Sequence, residues 1–196
     1  MRLITFLGTS DYRETCYVWT DAQGREHAYT TPYATVASAR ALAVTDIAVL
    51  ATDEARAKHG AALERALEGV ATLTWVRIPS GANETEMWEI YGALGGCVAP
   101  GQEIALDVTH GFRSLPLVVL LAAGFLRVAR KVKVRHIFYG AYDARDESVT
   151  PSRTPVFDLV PMFELLEWAN AADRFVRQGD ARDLAELVRR ETPPYA

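Results

Sequence analysis

Apolar positions along the chain follow two periods. Short runs at residues 2–7, 47–51, 72–78, 103–106 and 133–139 have the length and spacing of strands. Between them lie longer stretches with helical spacing. One starts near Pro32 and reaches about Ala43, with Ala34, Ala37 and Ala41 on a small-residue face. A second covers 54–67 behind a Thr52 cap, and a third follows Asn83, with Glu84 and Glu86 in its acidic first turn. A fourth, 115–128, is apolar throughout and reads as a buried helix. Residues 17–30 read as a β-hairpin turning at Gly24, and 155–159 as a last short strand. An amphipathic helix over 160–176 then breaks at Gly179, and Asp180 caps another that reaches about residue 190.

Strand and helix alternate, so the pattern predicts an α/β fold. It is a Rossmann-like, doubly wound, mostly parallel sheet with a β-hairpin insertion and a C-terminal helical extension. The expected boundary separates a domain at 1–159 from the extension at 160–196.

Composition narrows the class. The 196 residues, 49% hydrophobic and 23% charged, suit a globular domain able to bury a sizeable core. Cys16 and Cys97 match no metal-ligand spacing, and a reduced, cytoplasmic setting is the default. The apolar run at the N-terminus is too short for a signal peptide, and Arg127 and Arg130 close the 115–128 helix too early for a bilayer span. No membrane association is expected. A formal net charge of −4 argues against coating duplex nucleic acid, yet a small polyanion can still be held by backbone amides at helix N-termini.

The chemistry concentrates in two strand-to-helix turns. Gly8-Thr9-Ser10 is either a turn that needs small residues or part of a site. Asp107-Val108-Thr109-His110-Gly111-Phe112-Arg113-Ser114 carries more chemistry than a turn requires. Gly111 lets a ligand approach the main chain, Ser114 caps the next helix, and Arg113 can grip a phosphate bidentately. For Asp107 an Asx-turn role ranks above catalysis. His110 is either a general acid or base, or a hydrogen-bond donor to a base or phosphate. No cysteine or second carboxylate stands near enough for a nucleophilic triad or a zinc site, and no metal or cofactor is expected. His27, His59 and His136 read as structural residues of a hairpin, an exposed helix and a strand. Neither a Walker loop nor a Gly-x-Gly-x-x-Gly fingerprint occurs. Tyr12, Trp88, Tyr139 and Tyr142 could stack on adenines, although Trp88, spaced helically with Tyr91, reads as core.

The 107–114 run resembles the Asp-x-Thr-His-Gly signature of CRISPR-associated proteins with a CARF (CRISPR-associated Rossmann fold) domain. Supporting stretches are 6–12, Ile78-Pro79-Ser80-Gly81, Tyr139-Gly140-Ala141 and 155–159. The resemblance implies a homodimeric sensor of type III CRISPR systems that binds a cyclic oligoadenylate, most often cyclic tetra-adenylate, across the dimer twofold. Ligand contacts would come from Gly8, Thr9, Ser10, Tyr12, Asn83, Asp107, Thr109, His110, Gly111, Arg113, Ser114, Tyr139 and Gly140. Such domains drive a C-terminal effector, commonly a HEPN ribonuclease. The sequence stops after the helical extension, which implies either a CARF-only protein or a piece of a longer one.

Some family members are metal-independent ring nucleases that leave a 2′,3′-cyclic phosphate. Thr9, Ser10, His110 and Arg113 would then be the catalytic set. The competing expectations are an ordinary α/β enzyme acting on a small phosphorylated metabolite, and a regulatory scaffold without catalysis.

Overall fold

A computed structural model describes residues 1–21, 24–111 and 115–190. The first of its two units, Met1–Asp158, opens with β1 (Arg2–Leu7), then β2 (Thr15–Thr20) and β3 (Glu26–Thr31). Next come α1 (Ala34–Ala41), β4 (Asp46–Ala51), α2 (Asp53–Ala66), β5 (Thr72–Arg77) and α3 (Glu84–Gly96). The unit closes with β6 (Glu103–Asp107), α4 (Leu115–Arg130), β7 (Lys133–Gly140), a 3-10 turn at Tyr142–Ala144, and β8 (Arg153–Asp158). The second unit, Leu159–Ala196, contains α5 (Val160–Gln178) and α6 (Arg182–Arg190).

The strands form one sheet in the order β3-β2-β8-β7-β6-β1-β4-β5. The five strands from β7 to β5 are parallel, with Ile4 opposite both Ala48 and Leu106. β8 joins antiparallel to β7, and β2 runs parallel to β8. Burial explains the sequence pattern. β1 and β4 are buried from their second residue onward, so they read as continuous apolar runs, as central parallel strands do. The edge strands β3 and β5 alternate instead.

Leu3 and Leu7 pack with Ile47, Val49 and Ala51 beneath Val36 and Ala39 of α1 and Ala55 and Leu63 of α2. Ile4 and Phe6 point to the opposite side by strand alternation and are equally buried, so helices cover both faces of the sheet. The fold is the doubly wound α/β class that the pattern predicts. The hairpin does more than decorate it: β2 and β3 turn at Gly24 (φ 76°) and extend the sheet beyond β8.

Four local expectations need correction. α1 begins at Ala34, because Tyr33 keeps extended backbone (φ −112°, ψ 113°) after Pro32. His59 is buried, since α2 lays it against the Ser10 carbonyl and Tyr33. Trp88 is exposed, touching Tyr91 edge-on but covered by little else. α4 is buried on one face only, through Leu115, Val119, Ala122, Ala123 and Leu126, while Leu117, Leu121, Phe125 and Val128 face outward. An apolar sequence alone does not tell a two-sided helix from an enclosed one.

In the second unit, α5 ends at Gly179 in the left-handed conformation (φ 68°), and the Asp180 carboxylate accepts the Arg182 N–H at 3.1 Å. Arg174 and Asp183 tie the two helices together.

Candidate functional site

The sheet fixes where a site can form. From β1 the chain winds one way through β4 to β5 and the other way through β6 to β7, so the strand order reverses between β1 and β6. At such a switch point the turns leaving the two strands diverge and open a crevice at their carboxyl ends. The turns leaving β1 and β6 here are Gly8–Tyr12 and Val108–Gly111.

These two turns touch. A Cβ built on Gly8 would lie 3.0 Å from the His110 carbonyl oxygen, so any larger residue would need the two turns to part by a few tenths of an ångström. The Gly8 N–H donates to the Tyr12 hydroxyl at 2.7 Å. The Tyr12 ring lies 4.0 Å from the His110 ring and 4.5 Å from the His59 ring, centroid to centroid. Burial pushes the Tyr12 phenol up to about 12, so it stays protonated.

From α2, Lys58 Nζ donates to the Thr9 carbonyl at 2.7 Å and pairs with Asp11 at 2.6 Å. His59 Nε2 donates to the Ser10 carbonyl at 2.9 Å. Both rim carbonyls are thus held from below, and the Thr9 and Ser10 residues are left exposed.

Asp107 sits underneath, 1% exposed. It accepts the Thr109 N–H at 3.0 Å, which closes an Asx turn, and the Ser38 hydroxyl of α1 at 2.8 Å. Burial raises its pKa, and these hydrogen bonds oppose the rise. Thr109 Oγ1 accepts the Gly140 N–H at 2.9 Å, which ties the turn to the end of β7.

His110 Nε2 accepts the Ala34 N–H at 3.0 Å, so a side chain distant in sequence caps the first turn of α1. That bond needs an unprotonated Nε2, and burial, followed by the neighbouring His59, pushes the His110 pKa down to about 3. The imidazole is neutral with the other nitrogen protonated, and the nitrogen free to accept a proton is already occupied. In this arrangement His110 works as a scaffold.

The structure therefore gathers Gly8, Thr9, Ser10, Tyr12, Asp107, Thr109, His110, Gly111 and Gly140 at one end of the sheet. The Gly111 N–H donates to the Val108 carbonyl at 3.3 Å, and a Cβ there would strike Leu115. Arg113 and Ser114 lie outside the described residues. Asn83 stands apart: it caps α3, accepting the Glu86 N–H at 3.0 Å, at the end of edge strand β5. Tyr139 lies on β7 opposite Phe157.

Ser38, Lys58 and His59 were not foreseen as supports of these turns. Their partners lie 69, 49 and 49 positions away, so no local pattern marks them. Among the described residues no group of three or more His, Cys, Asp or Glu could hold a metal ion, and no helix is long and apolar enough to cross a membrane.

No family model matches the chain. Among curated proteins it is 35% identical over 122 residues to "CRISPR-associated protein MJ1674" of Methanocaldococcus jannaschii. The chain is a relative of a CRISPR-associated protein. The match takes in 61% of this chain but 19% of MJ1674, so the chain spans about a fifth of that relative's length.

Proposed function

We propose that the chain is a CARF-type sensor domain of type III CRISPR signalling that binds a cyclic oligoadenylate, cyclic tetra-adenylate first among them. Two copies bind one ring and pass the signal to an effector, a HEPN ribonuclease or another. The observation that carries this reading is the meeting of the Gly8–Tyr12 and Asp107–Gly111 turns at the β1/β6 switch point, with Thr9 and Ser10 exposed beside them. The CRISPR-associated relative supports the same reading.

A ring of phosphodiesters needs hydroxyl donors more than a deep apolar pocket, and the exposed residues Thr9 and Ser10 carry them. Fixing the Thr9 and Ser10 carbonyls from α2 sets the loop's geometry before any ligand arrives, which reduces the ordering cost of binding.

We extend the proposal to slow, metal-independent ring opening. A ribose 2′-oxygen attacks the adjacent phosphorus, the 5′-oxygen leaves with a proton, and a linear product with a 2′,3′-cyclic phosphate forms. Alignment of the attacking and leaving oxygens supplies the rate. Thr9 and Ser10 would orient the 2′-hydroxyl, Arg113 would offset phosphorane charge, and His110 would hold the turn in register.

The test incubates the protein with cyclic tri-, tetra- and hexa-adenylate in EDTA and follows binding by calorimetry and cleavage by chromatography. Micromolar or tighter binding of the tetra-adenylate is expected. Failure to bind any ring would overturn the sensor reading. Intact tetra-adenylate after prolonged incubation would overturn ring opening alone.

A further inference from the structure

We infer that Asp11 guards an anion seat at Lys58: in the free protein its carboxylate holds the place on the lysine that a phosphate oxygen of the ligand takes. The identity of that ligand rests on the cyclic-oligoadenylate reading, and the guard adds to it a group of the same loop that opposes binding. The observation is a negative charge at the edge of a site for a polyanion. Asp11 follows the exposed Thr9 and Ser10 directly, and its own side chain is 90% exposed. A bare carboxylate there would repel any phosphate drawn to the two hydroxyls.

Lys58 explains how the rim accommodates it. Its Nζ donates to the Thr9 carbonyl at 2.7 Å and pairs with Asp11 Oδ1 at 2.6 Å. An ammonium has three N–H donors on a flexible stem. The Thr9 bond keeps the nitrogen beside the loop, and the Asp11 bond is the one that can change hands. Hydrogen bonding to Lys58 holds the Asp11 carboxyl below its usual carboxylate range, so it stays ionised and remains a competitor for the lysine. The backbone on either side is fixed, because the Ser10 carbonyl accepts from His59 and the Tyr12 ring lies against His59 and His110. A side chain so exposed can therefore turn away while the loop keeps its shape.

Relative strength sets the direction of the exchange. An ion pair this open to water is a weak tie. A phosphodiester oxygen makes an equally short charge-assisted bond to the ammonium, and its ligand adds contacts to the Thr9 and Ser10 hydroxyls. The carboxylate yields to such a ligand. In the free protein the pair leaves this part of the rim electrically neutral, so a simple anion must displace Asp11 before Lys58 can hold it, whereas a ring offsets that displacement through its other contacts.

The test is calorimetry of the full chain at low ionic strength, with pyrophosphate and separately with cyclic tetra-adenylate, for the wild type, Asp11→Asn, Lys58→Gln and the double variant. Glutamine keeps a donor for the Thr9 carbonyl and removes the charge. Circular dichroism and thermal unfolding should match the wild type, since both side chains reach solvent. Asp11→Asn should tighten binding of both ligands ~3-fold, the worth of an exposed pair. Lys58→Gln should weaken both ~10-fold or more, the worth of a charge-assisted hydrogen bond. The double variant decides the mechanism. If the carboxylate acts by occupying the lysine, removing it gains little once the lysine is gone. A larger gain in the Lys58→Gln background would show bare repulsion and overturn the guard. So would an Asp11→Asn protein that binds pyrophosphate no more tightly than the wild type, or four proteins that all ignore it at millimolar concentration. The expected pattern with pyrophosphate but no binding of the ring would leave the guard standing and overturn the sensor reading. Ring binding that all three variants leave unchanged would overturn the guard alone.

Discussion

Two strand-to-helix turns at the same end of the sheet solve the same problem in opposite ways. The turn between β5 and α3 closes on itself: Asn83 accepts the Glu86 N–H, and Glu86 returns the favour by accepting from Asn83 Nδ2, Ser80 Oγ and the Gly81 and Ala82 N–H groups. These bonds hold the Glu86 carboxyl below its usual pKa, with the Ala82 N–H the largest contributor. The turn after β6 sends its polar groups elsewhere, Asp107 to Ser38, Thr109 to Gly140 and His110 to Ala34. A self-contained turn is a local stop signal. One whose atoms are bonded to α1 and β7 registers any displacement of those elements, which suits a position where a ligand must be felt.

The largest expected break in this contrast is Asp107→Ala. It leaves the Ser38 hydroxyl and the Thr109 N–H without their acceptor in a buried place and should cost about 3 kcal/mol in urea unfolding. A loss under 1 kcal/mol would mean that water or a rearranged turn replaces the carboxylate.

His110 predicts a pH effect of known sign. Its folded pKa, about 3, lies below the ordinary 6.5, so the unfolded chain binds the extra proton. Stability from this residue is full above pH 6.5 and falls as the pH drops toward 3, by at most about 1.4 kcal/mol per pH unit. The difference in unfolding free energy between wild type and His110→Asn, measured from pH 7 to 5, should shrink with acid. A constant difference would show that the imidazole is not held neutral.

Gly8→Val forces a side chain against the His110 carbonyl and should cost about 1–2 kcal/mol while separating the two rim turns, so ring binding should fall more than stability does. The smallest effect belongs to the self-contained turn. Asn83→Ala should cost about 1 kcal/mol and leave ring affinity unchanged. A loss of affinity there would bring Asn83 into the site as the family resemblance implies.

The same contrast explains what the sequence could reveal. The Thr52 and Asn83 caps and the Asp107 Asx turn are bonds over two or three residues, and the eye finds them. The strands and their order of alternation follow from burial, which writes apolar runs into β1 and β4. The roles of His59 and His110 did not show, because their partners Ser10 and Ala34 lie 49 and 76 positions away. Trp88 and the outer row of α4 misled for a related reason: apolar residues mark a surface to be covered without saying whether this chain covers it.

The segment between β1 and β2 has one more consequence. β1 lies four strand spacings from β2, with β6, β7 and β8 between, a gap of about 19 Å. Residues 8–14 must bridge it, and at ~3.3–3.6 Å per residue the steps from Leu7 to Thr15 reach about 26–29 Å at full extension. Tyr12, pinned against His59 and His110, divides that short tether into two still shorter spans. The segment is a ruler: its tolerance is counted in residues, a slack of about two before either the hairpin or the Tyr12 anchor would have to let go.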